Sequence, residues 1–90
     1  MIISTQSTEK IYSMKYIIFE SGAAVIFCDS TSHDEMAGEK PVASAGFCLI
    51  ETYRNEFDDI RARVSCYGKS ESLGKTCQPG DEEILKRLFW

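Results

Sequence analysis

Apolar positions along the chain fall into short runs separated by turn-forming residues, and most runs carry the spacing of strands. Lys15 to Glu20 (Lys-Tyr-Ile-Ile-Phe-Glu) is rich in β-branched and aromatic residues and reads as a strand. Ser21-Gly22 marks a turn, and Ala24 to Asp29 reads as the returning strand of a β-hairpin. Val42 to Ile50 forms a third strand, with Gly46 inside it as a bulge or close-packing point. From Ile60 to Tyr67 the apolar residues Ile60, Ala62, Val64 and Cys66 alternate with Arg61, Arg63, Ser65 and Tyr67, which gives a fourth strand.

Two segments read as helical. Ser32-His33-Asp34-Glu35 has the form of a capping box, with Glu three residues after the capping Ser. A short helical turn follows it and ends near Gly38, before Pro41. Pro79-Gly80-Asp81 opens a final helix with Asp81, Glu82 and Glu83 in its first turn and Lys86 and Arg87 in its last, a distribution that suits the helix dipole. Ile84, Leu85, Leu88 and Phe89 supply its apolar stripe. Between strands three and four, Tyr53, Phe57, Ile60 and Val64 also have helical spacing. Asn55, Asp58 and Asp59 favour a turn instead, so this stretch is read as a polar loop.

These elements predict an α+β fold: a four-stranded, mainly antiparallel sheet, a short helical turn, and a C-terminal helix packed on one face. Ninety residues suffice for one domain. Residues 1–13 are polar and lack a clear period, so they are expected to form an N-terminal extension to a domain of residues 14–90. Met14 is then a candidate natural start.

Composition narrows the function classes. Hydrophobic residues at 43% and charged residues at 27% argue for a globular chain. The net charge of −4 disfavours nucleic acid as a partner. Charge is uneven along the chain: residues 60–90 carry six basic and four acidic side chains, paired in the simplest reading with acids nearby. No secretory signal pattern opens the chain and no apolar run spans a bilayer, so the expected setting is cytoplasmic, with no membrane partner.

The chemically suggestive groups are few. Gly74-Lys75-Thr76 ends like a phosphate-binding loop, but the position five before Gly74 is Lys69 rather than glycine. Cys77-Gln78-Pro79-Gly80 also blocks the helix that should begin at the lysine. Cys28, Cys48, Cys66 and Cys77 lack metal-knuckle spacing; buried free thiols, with no metal and no cofactor, are the expectation. His33 is the sole histidine and reads as solvated. Glu51, Glu56, Asp58 and Asp59 lack the pattern of a calcium loop and read as a solvated hairpin loop.

Three stretches, Ser32-His33-Asp34, Val42-Ala43-Ser44-Ala45-Gly46-Phe47 and Gly68-Lys69-Ser70-Glu71-Ser72-Leu73-Gly74, together with the final helix and the Met14-Lys15-Tyr16 opening, resemble a group of small uncharacterised bacterial and prophage proteins. The resemblance covers residues 14–88, implies a phage or mobile-element setting and supplies no activity.

The leading expectation is a non-catalytic interaction protein, a phage-encoded modulator that binds a host protein. The alternative is a small enzyme or ligand binder using His33 with a thiol or the Ser70–Ser72 loop. The expected binding residues are His33, Ser70, Glu71 and Ser72. Two glycines bracket this loop, and Leu73 is expected to anchor it to the core.

Overall fold

The computed structural model describes residues 7–89. The segments rich in β-branched and aromatic residues form four long strands: β1 (Ser7–Phe19), β2 (Ala24–Phe27), β3 (Val42–Arg54) and β4 (Ile60–Tyr67). They make one antiparallel sheet in the order β2-β1-β3-β4. A two-stranded hairpin, β5 (Lys69–Ser70) and β6 (Lys75–Thr76), follows β4. Two short helices complete the fold, α1 (His33–Ala37) and α2 (Asp81–Lys86), with a 3-10 turn over Arg87–Phe89. The α+β expectation therefore holds, with a mostly strand structure.

Both faces of the sheet are packed. On one, Tyr16, Ile18, Cys48, Ile50, Ala62 and Val64 meet Leu85 of α2. On the other, Ile17, Phe27, Val42 and Ala45 meet Ala37 of α1, with Leu73 of the hairpin packed against them. Alternation along β1 and β3 splits their apolar residues between these two layers.

Several local signals act as read. Gly22 takes a φ of +96° in the turn joining β1 to β2, a conformation that suits glycine. Ser32 caps α1, accepting from the Glu35 amide and donating to the Glu35 carboxylate. Gly46 is a close-packing point: a Cβ there would stand 2.8 Å from the Tyr67 carbonyl oxygen.

Four expectations need correction. Residues 7–13 are not set off from the domain: they extend β1 and pair with β3 as far as Ser7 opposite Arg54; residues 1–6 of the expected extension lie outside the described residues. Backbone pairing with β3 needs no apolar period, which is why the period failed to mark this half of the strand. β2 ends at Phe27, leaving Cys28 exposed rather than inside a strand. Leu88 and Phe89 leave the docked stripe of α2, because the helix ends at Lys86 and the 3-10 turn carries them outward, with Leu88 51% exposed. His33 is buried, not solvated, because α1 lies against the sheet.

β2 covers only Lys15–Ile18 of β1. Beyond it, β1, β3 and β4 continue as a three-stranded arm that ends in the turn of residues 55–59. The molecule measures 53 × 23 × 18 Å, with a radius of gyration of 14.7 Å, against about 12 Å for a compact chain of this length.

Candidate functional site

Two regions are candidate sites: the β5–β6 hairpin with the neighbouring start of α1, which together carry the expected binding residues, and the tip of the arm.

At the hairpin, the four expected residues play different parts. His33, the first residue of α1, is held edge-on between Phe27 and Phe47, and its Nε2 lies 2.8 Å from the Gly46 carbonyl oxygen. Phe47 stacks in turn on Tyr67. This ring is a packed structural group, and among the described residues no thiol is bonded to it. Ser70 is buried and its hydroxyl oxygen accepts from the Leu73 amide at 3.3 Å, with the Ser72 hydroxyl 3.4 Å away. That is a serine satisfying a tight turn. The Ser32 hydroxyl, chiefly, holds the Asp34 carboxylate of α1 below its usual range. Leu73 anchors the hairpin to the core cluster that also holds Ala37 of α1. Glu71 is exposed, and its backbone carbonyl accepts from the Gly74 amide at 3.3 Å. A hollow of about 370 Å³ lies here, lined by Lys69, Ser70, Glu71, Gly74, Lys75 and Thr76.

The thiols are distributed unlike a nucleophilic site. Cys28 is exposed and its sulfur accepts from the Ser30 hydroxyl at 3.2 Å, a contact that lowers its thiol from the ordinary value. Burial pushes Cys48 up to about 11 and Cys66 up to about 12, the reverse of an activated thiolate. Tyr16 is raised well above the phenol range, first by burial and then by its bond to Asp81. Among the described residues no grouping of three His, Cys, Asp or Glu side chains could hold a metal ion.

At the arm tip, the local sequence builds a locked turn. The Asn55 side-chain oxygen accepts from the amides of Phe57 and Asp59, at 2.9 and 3.0 Å. The Asn55 amide donates to the Asp59 carbonyl, and the Asp58 amide to the Asn55 carbonyl. Asp58 takes a φ of +64°, a left-handed conformation that Asp adopts more readily than most residues. The Arg54 guanidinium bonds both the Asp58 carbonyl and its carboxylate. This frame projects Phe57, which is 75% exposed, beside Ile60 at 58%. Ile11 and Tyr12, at 61% and 43%, expose further apolar surface along the same arm. Glu56, Asp58 and Asp59 surround the tip; Asp58 pairs with Arg54 at 3.2 Å and Asp59 with Arg61 at 3.9 Å.

From sequence this turn reads as a solvated loop, and Phe57 is marked only by its helical spacing with Tyr53, Ile60 and Val64. The available signal was an aromatic residue set within turn-forming Asn and Asp residues, where no core is within reach.

Comparison with protein families, with curated proteins and with solved structures finds no match to this chain. Among the described residues no helix is long and apolar enough to cross a membrane.

Proposed function

We propose that the protein is a non-catalytic interaction module whose arm tip is the contact surface. The observation that carries this reading is the exposure of Phe57 on a turn held by four hydrogen bonds to Asn55 atoms. Aromatic side chains are enriched in protein interfaces, and a turn whose backbone is already held loses little backbone freedom on binding. The fitting partner is a protein with an apolar pocket that admits the ring, bordered by a basic side chain opposite Glu56. The phage-encoded setting and a host protein as that partner belong to the same proposal.

Immobilised protein and its variants, exposed to a bacterial lysate, test it. Proteins retained by the parent should also be retained by a variant combining Glu71→Ala and Ser72→Ala, and lost from Phe57→Ser. Retention of the same proteins by folded Phe57→Ser contradicts the proposal.

The hollow at the hairpin favours a second reading, a small-ligand site between Lys69 and Lys75. It is favoured instead if Glu71→Ala and Ser72→Ala abolish retention while Phe57→Ser leaves it intact.

A further inference from the structure

Cys48 and Cys66 stand directly opposite each other in the β3–β4 register. Antiparallel pairs alternate between hydrogen-bonded and non-hydrogen-bonded types, and the second type brings side chains closer. Two observations fix the type here. The Asn55 amide donates to the Asp59 carbonyl at 2.9 Å, at the end of the same register, so that pair is hydrogen-bonded. Counting along the ladder, the pairs at 53/61, 51/63 and 49/65 share its type and 48/66 does not. Independently, the Cys66 amide donates to Glu82 Oε2 at 2.8 Å. It therefore points away from β3, as a non-hydrogen-bonded position requires.

Such a pair places its Cα atoms about 4.5 Å apart, inside the range of roughly 4.4–6.8 Å that disulfides span. Both side chains lie on the face covered by α2, where Cys66 packs against the cluster containing Cys48 and Leu85. From this geometry we infer that Cys48 and Cys66 are a redox-reactive cross-strand dithiol, a modification site that a low-molecular-weight disulfide such as oxidised glutathione closes to a bridge.

The other thiols are poorer partners. Cys77 is also near enough to act on the Cys66 thiol, but its sulfur lies against the Gln78 carbonyl on a loop that no ladder registers against Cys66. Cys28 follows β2, two strands away from β3 in the sheet.

The chemistry balances in two exchanges. The thiolate of half-buried Cys66 attacks one sulfur of oxidised glutathione, forming a mixed disulfide and expelling one glutathione thiolate. The thiolate of Cys48 then attacks Cys66 Sγ and expels the second glutathione. The protein dithiol is oxidised by two electrons, and its two protons end on two glutathione thiols. Because burial holds both thiols high, bridging is slow at neutral pH. Only the thiolate attacks, so the rate rises by about tenfold per pH unit below the thiol range. The bridge would pin β3 to β4 at the base of the arm, beneath α2.

The test treats the full chain with oxidised glutathione across a pH series, blocks remaining thiols, and reads intact mass and linked peptides while circular dichroism follows the fold. The expected product has lost two hydrogens through a Cys48–Cys66 link and forms faster as pH rises. Cys66→Ser should give no bridge yet still accept glutathione at exposed Cys28. A bridge between Cys66 and Cys77, or none at the highest pH at which the chain stays folded, overturns the inference.

Discussion

Asp81 illustrates what a single buried carboxylate does in this small domain. It accepts from the Tyr16 hydroxyl at 2.6 Å, the Ser44 hydroxyl at 3.0 Å and the Gln78 amide at 3.0 Å. These bonds tie the start of α2 to β1, to β3 and to its own preceding loop. A carboxylate removed from water needs such partners, and among the described residues no buried side-chain N or O atom lacks one. Tyr16→Phe removes one donor and leaves two, so a loss of about 1–3 kcal/mol in urea unfolding is expected. The sequence reading assigned Asp81 to the helix dipole, because an acidic residue in a first turn is ordinary there. The hydroxyls that donate to it lie 65 and 37 positions away in sequence, beyond what local spacing can reveal. The same holds for His33, whose partners Phe47 and Gly46 come from β3.

The elements differ in how much of each was legible. β4 has the bounds its alternation predicts, Ile60 to Tyr67, because one face is buried and the other wet. β1 and β3 run beyond their apolar cores, since ladder hydrogen bonds continue where burial does not. The apolar residues after Lys86 suggest a longer α2 than the structure holds. Leu85 is fully buried beneath that helix whereas Leu88 is half exposed. Leu85→Ala is therefore expected to cost about 2–5 kcal/mol, and Leu88→Ala to stay within about half a kcal/mol, as surface changes usually do. Thermal or urea unfolding of the two variants distinguishes them; similar losses would mean that the last turn docks on the sheet. Glu82 shows a further departure: its carboxylate caps the Cys66 amide on the open edge of β4, a task that its spacing from Lys86 does not suggest.

At the scale of the molecule, the sheet serves two purposes. Its β2-side half is covered by α1 and the β5–β6 hairpin on one face, and α2 covers the other face from there onto Ile50, Ala62 and Val64 at the base of the arm. The far ends of β1, β3 and β4 extend past this packed body and carry exposed Ile11, Tyr12, Ile60 and Phe57. Here the expected binding residues and the structure part company, because Ser70 and His33 are committed to internal bonds while Phe57 faces water. The most direct measurement of the interaction proposal is site-specific photo-crosslinking, with a benzophenone side chain placed at Phe57 or, as a control, at exposed Ser65 on β4. A discrete protein adduct is expected from position 57 in bacterial lysate and none from position 65. No adduct at position 57, or the same adducts from both positions, would contradict it.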